Sequence, residues 1–231
     1  IISKNIIDSK NLIITNISNL HTYQNDIGYV FYIIFSFLLF GVSLKSISLF
    51  FLLIVIFSSV IFMINFYKNN LYFFLLQTVL FALIITIIGS YGASIQIVSI
   101  NNQRLLSILS IIPVLHLSLA FLSKENIKPI TFFLSLLQII ILVFLCHVRG
   151  TAFWSFLSIF LFYLTWTFYV GIKKFSEHKI NVMLMTISVF LFLIFFNLSN
   201  LLIKNNLGDI YKDETTITKH MFWHNLVMGI T

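Results

Sequence analysis

Seven stretches of the chain contain no Asp, Glu, Lys or Arg: 28–44, 47–67, 71–90, 105–122, 129–147, 152–172 and 181–203. A helix needs about 20 apolar residues to cross a bilayer. A β-strand that crosses one alternates apolar and polar residues at period two. These runs are continuously apolar, so they predict helices rather than barrel strands. Only 9% of the residues are charged and 59% are hydrophobic, with mean hydropathy +1.03. A water-exposed domain of this size uses about a quarter charged residues to cover itself. The expected fold is therefore all-α: a polytopic membrane helix bundle of about seven transmembrane helices with short connectors.

Three parts follow from the polarity. Residues 1–26 form a polar N-terminal arm, residues 27–203 the transmembrane helix bundle, and residues 204–231 an extramembrane amphipathic tail. The third run belongs to a longer uncharged segment, 71–100. It would make about 45 Å of helix, which exceeds a hydrocarbon core of about 30 Å. The cluster Gly89-Ser90-Tyr91-Gly92-Ala93-Ser94 is where that helix is expected to break or kink.

The formal net charge is +7, and the basic residues are scattered through the connectors. That is the distribution of membrane-flanking lysines, so no nucleic-acid partner is expected and lipids are. With seven crossings, Lys4, Lys10, Lys68, Lys124, Lys128, Lys173, Lys174 and Lys179 share one side. Lys45, Arg104, Arg149 and Lys204 take the other. This bias of eight to four puts the N-terminus on the matrix or cytoplasmic side. The residue usage is also lopsided: 27 Phe and 9 Tyr, but only 8 Gly and 2 Pro, and lysine far outnumbers arginine. The favoured residues have A+T-rich codons, which points to a small organelle genome and to the mitochondrial inner membrane.

The single cysteine, Cys146, excludes an intrachain disulfide and a thiolate metal cluster. Of six histidines, only His116 lies well inside a predicted span. A buried imidazole in lipid is costly unless paired, so His116 is a functional candidate. Pro113, less than a turn earlier, has no amide hydrogen and frees the Leu109 carbonyl for a side chain or a water. His147 lies at the end of the next span, at a depth that does not match His116, so the pair is not a haem ligand set. No third ligand accompanies His220 and His224, and no metal or cofactor is expected on this chain beyond bound phospholipid. Gln77, Gln96, Gln138, Asn197 and Asn200 are expected to make interhelical hydrogen bonds.

The block SINNQRLLSILSII (99–112), followed by a helical histidine, resembles the antiporter-like membrane subunits of respiratory complex I. In that family a loop ending in Lys-Arg leads into a helix beginning Leu-Leu-Ala-Tyr-Ser-Ser-Ile, with a histidine soon after. Arg104, Leu105, Leu106, Ser110 and Ile111 match. Asn101, Gln103, Ser107 and Ile108 replace the family's Asp, Lys, Ala and Tyr, and Pro113 takes the usual histidine position. Further on, His147 and Ala152 match the family's His-x-x-x-Lys-Ala block, with Thr151 in place of its lysine. The resemblance covers roughly residues 85–165. It implies a divergent or split subunit of NADH–ubiquinone oxidoreductase, since full-length members have eleven or more spans. The proton-path candidates it implies are His116, His147, Arg104 and Arg149. Its partners would be other membrane subunits of a large respiratory complex, and NADH and ubiquinone would be met only through that complex. The alternative is a non-catalytic, lipid-contacting subunit of a respiratory or ATP synthase complex, which the scarcity of intramembrane charge supports.

Overall fold

In a computed structural model, residues 27–89, 106–122, 129–173 and 175–206 are described. Among them all regular structure is helical, in seven α-helices that fall on the seven apolar runs. They are α1 (Ile27–Phe40), α2 (Leu44–Phe66), α3 (Asn70–Gly89), α4 (Ile111–Leu122), α5 (Pro129–Val148), α6 (Phe153–Lys173) and α7 (Phe175–Asn206). Short 3-10 turns, Ser107–Ser110 and Gly150–Ala152, lead into α4 and α6. Among the described residues, three stretches are long and apolar enough to cross a membrane: Lys45–Phe66, Pro129–Val148 and Gly150–Tyr169.

Local chemistry sets the helix ends. Gly41, at φ +82, ends α1 in the left-handed conformation that glycine adopts without penalty, and its amide donates to the Phe37 carbonyl (2.9 Å). Ser43 caps α2 by accepting from the Ser46 amide (3.3 Å). Asn69 Oδ1 accepts from the amides of Leu71 and Tyr72 and starts α3. That helix is described as far as Gly89; residues 90–105, which hold the rest of the expected break, lie outside the described residues. Pro129 opens α5, where a missing amide hydrogen costs nothing. Pro113 is the third residue of α4, directly after the 3-10 turn. It therefore marks a change from 3-10 to α geometry near the helix start and not a kink in mid-helix.

The hub is α5, which packs against α1, α2, α4 and α7. Its Leu142, Leu145 and Ile139 are fully buried in the main core, together with Leu109, Leu117 and Phe121. Side-chain pairs fix the directions. Ser58 meets Gln138 and Phe50 meets Phe144, so α2 and α5 are antiparallel. Phe156 stacks on Phe192 at 3.6 Å and Tyr163 bonds Thr186, so α6 and α7 are antiparallel. The two 3-10 turns touch, which places the start of α4 beside the end of α5. The bundle thus has two ends. One carries Lys45 and Arg149, the other Lys68, and Lys45 and Lys68 are both exposed.

The outward faces are mostly apolar. On α3 alone Leu71, Phe73, Phe74, Phe81, Ile84 and Ile85 are exposed, and Phe168 on α6 is 76% exposed. Gln77 is exposed among them, and the exposed Thr78, Thr86, Ser158, Thr165, Thr186 and Asn197 donate to carbonyls of their own helices, so the surface is mostly apolar and suited to lipid.

One helix departs from the bundle direction. The Phe40 carbonyl, at the end of α1, accepts from Ser46 Oγ (3.2 Å) in the first turn of α2. At the other end of α1, Gly28 lies against the backbone of His147 and Val148, the last residues of α5. Between them Tyr32 donates to the Ile47 carbonyl (3.3 Å) and packs on Phe50 and Phe144. Since Phe144 is level with Phe50, His147 is level with about residue 47 of α2. Both ends of α1 therefore sit at the Lys45 end, and this helix, about 20 Å long, runs across α2 and α5 rather than alongside them.

Candidate functional site

Among the described residues, three of the polar contacts between helices are spread along the bundle axis. Nearest the Lys68 end, His116 of α4 is wholly buried, enclosed by Phe62 and Phe66 with ring centroids at 5.9 and 5.2 Å. Its Nε2 is 3.5 Å from Asn65 Nδ2. With Asn65 donating, Nε2 is the acceptor and the neutral ring carries its proton on Nδ1. Nδ1 has no hydrogen-bond partner among the described residues. The Leu109 carbonyl, the acceptor that the sequence offers, does not take it up.

Sequence position alone puts His116 in mid-span. The structure places it against the last turn of α2, three residues or fewer from the connector that holds Lys68 on its neighbour helix. Asn65 is its partner because α2 presents Ser58, Phe62 and Asn65 on one face, at i, i+4 and i+7.

The second contact is at mid-bundle. Ser58 Oγ donates to Gln138 Oε1 (2.8 Å), and Gln138 Nε2 donates to the Ser58 carbonyl (2.9 Å). Gln138 was expected to bond between helices, and it does so with both ends of its amide. Gln138→Leu is expected to lower stability in mixed micelles by about 1–2 kcal/mol, since two interhelical bonds are lost. An unchanged unfolding midpoint would show that the contact carries no net stability.

The third contact is at the Lys45 end. His147 Nε2 is 2.6 Å from Ser199 Oγ on α7, and the ring stacks on Phe196 at 4.7 Å. Phe156, Phe192 and Phe196 continue this stack into the core. Two residues further on, the half-buried Arg149 sits in extended conformation before the 3-10 turn. Its amide donates to the Leu145 carbonyl and its carbonyl accepts from the Ala152 amide, both at 2.9 Å.

The four residues suggested by sequence thus do not form one site. His147 and Arg149 lie at one end. His116 lies toward the other, separated by roughly the 22 Å of helix between Ile47 and Phe62 at 1.5 Å per residue. Arg104 lies outside the described residues, as do the arm, His21 and the His220–His224 pair; the side chain of His178 does too. Sequence reading missed Asn65, Ser58 and Ser199. The first two share a helical face, a signal that periodicity could have given. Ser199 lies between Asn197 and Asn200, and Asn197 donates to the Leu193 carbonyl of its own helix rather than to another helix.

Two further hydroxyl pairs tie helices together. Ser110 bonds Ser155 (2.7 Å), joining the turn before α4 to α6, and Tyr163 bonds Thr186. Among the described residues no three of His, Cys, Asp and Glu come together, and Cys146 is a buried free thiol. Comparison with protein-family models, with curated proteins and with solved structures finds no match.

Proposed function

We propose that this chain is a membrane-arm subunit of a mitochondrial respiratory complex, namely an antiporter-like subunit of NADH–ubiquinone oxidoreductase or a piece split from one. In this reading α2 to α7 cross the inner membrane, and the chain contributes to proton translocation. The observation that carries it is His116: wholly buried, with one ring nitrogen on Asn65 and the other without a partner among the described residues. An imidazole that only braces helices gains from having both nitrogens bonded. A relay needs one that can take or release a proton. Support also comes from the order of the contacts: His116–Asn65, Ser58–Gln138 and His147–Ser199 mark three depths along α2 and α5. Arg149 sets a positive potential beside the His147 end. NADH and ubiquinone belong to the wider complex; this chain's residues would hold and pass protons only.

A second reading is favoured by a different observation. Gln138 and Ser58 satisfy each other, and His147 is bonded to Ser199, so both contacts are closed and neutral. On that reading the chain is a lipid-contacting structural subunit of a respiratory or ATP synthase complex.

Purification in mild detergent tests the assignment. The chain is expected to migrate with a large complex that oxidises NADH. Recovery as a free monomer, or in an assembly that hydrolyses ATP and does not oxidise NADH, would overturn the first reading.

A further inference from the structure

We infer that α1 does not cross the bilayer. It lies in the membrane plane at the Lys45 end, with its outer face against the lipid acyl chains of one leaflet. This goes beyond the functional reading above and does not depend on it.

The first argument is level. Phe40 at one end of α1 is fastened to Ser46, and Gly28 at the other is packed on His147 and Val148. Ser46 begins α2, while His147 and Val148 end α5, and these helices are antiparallel. The two ends of α1 are therefore at one height within a few ångströms, although the helix is about 20 Å long. A helix laid alongside α2 would instead bring Gly28 level with the middle of α2, near Ser58.

The second argument is length. Fourteen residues fall well short of a hydrocarbon core of about 30 Å.

The third argument is the chemistry of its two faces. The inner face holds the polar groups, and they are satisfied there: Tyr32 donates to the Ile47 carbonyl and Ser36 to the Ile33 carbonyl. The outer face shows Phe35, Leu38, Leu39 and Phe40, followed by Val42, all exposed by 38% or more. No charged residue lies on α1, so the helix has no face to offer to water. Helices that float on a membrane keep a charged face outward. This one is suited to lying just beneath the headgroups, at the depth where Lys45 and Arg149 mark the boundary. The occupant of its outer face is then phospholipid.

Depth measurement on the full chain in phosphatidylcholine vesicles tests this. Cys146 is first replaced by alanine. Single cysteines at Phe31→Cys and Leu39→Cys then carry a fluorophore, and Phe57→Cys on exposed mid-α2 gives a deep reference. Quencher-bearing lipids report the depths. The two α1 labels are expected to lie within about 3 Å of each other and both nearer the surface than Phe57→Cys. A depth difference of about 12 Å, eight residues at 1.5 Å each, would show that α1 crosses and overturn the inference. Quenching of both α1 labels by aqueous iodide and by no lipid quencher would overturn it as well.

Discussion

On the relay reading proposed above, His116→Gln is expected to leave the bundle folded and to reduce proton translocation by the assembled complex about 100-fold or more, the usual scale for removing a positioned acid–base group. Glutamine can keep a hydrogen bond to Asn65, but it cannot take up and release a proton. His116→Leu adds a structural cost. It leaves the Asn65 amide without its partner, at about 1–3 kcal/mol for a buried polar group, although leucine fills the space between Phe62 and Phe66 well. The pair of variants separates the two readings of the chain. If His116 only braces α4 against α2, the glutamine variant assembles and pumps normally, and the leucine variant loses assembly and activity in proportion. If His116 relays protons, the glutamine variant assembles and does not pump. Complex yield and proton-to-electron ratio, measured on the same preparations, distinguish these results.

Gly28→Leu is expected to unseat α1. A side chain at this position would be built into the backbone of His147 and Val148, and backbone in the last turn of a packed helix cannot swing aside as a flexible side chain can. Overpacking costs about 1–3 kcal/mol where neighbours adjust. Here they cannot, so a loss of about 3 kcal/mol or more is expected, with α1 becoming open to protease while α5 to α7 stay protected. Gly28→Ala should show a smaller effect of the same kind. Gly41 is the control, because it has open space around it and is glycine for its positive φ alone. Gly41→Ala should cost about 1 kcal/mol, the left-handed penalty, and leave α1 in place. Thermal midpoints in detergent and the order of proteolytic cuts check both. If Gly28→Leu matched Gly41→Ala, the close crossing of α1 over α5 would be refuted.

The helices were legible in the sequence because lipid imposes a simple rule. Backbone polar groups must be bonded within the segment, so a continuous apolar run in a bilayer becomes a helix. Gly41, Ser43, Asn69 and Pro129 then set boundaries that local chemistry already implied. The direction of a helix is a different matter. The composition of α1 is that of a crossing helix, but it is only 14 residues long and its tertiary contacts turn it sideways: Gly28 makes room for α5, and Tyr32 reaches Ile47. Partners were the least legible part. Gln138 was recognisable as a buried amide, but Ser58 is one of many serines, and what selects it is the antiparallel register of α2 on α5. Asn65 sits at the end of an apolar run, where asparagine reads as an ordinary boundary residue. Its contact with His116 depends on how far α4 is displaced along α2, which pattern does not encode.

The crosswise course of α1 also changes how the chain is oriented. Counting seven crossings sets Lys4 and Lys10 beside Lys68, Lys124 and the other lysines of that side, eight against four. With α1 in the plane, Lys4 and Lys10 are counted with Lys45 instead, and the same twelve charges divide six against six. The acidic residues do little to tip such a balance, since basic residues near the spans dominate orientation. A chain poised in this way has no strong electrostatic instruction during insertion. Its basic residues then leave its sidedness undecided, and relocating one or two lysines between connectors would be enough to set it.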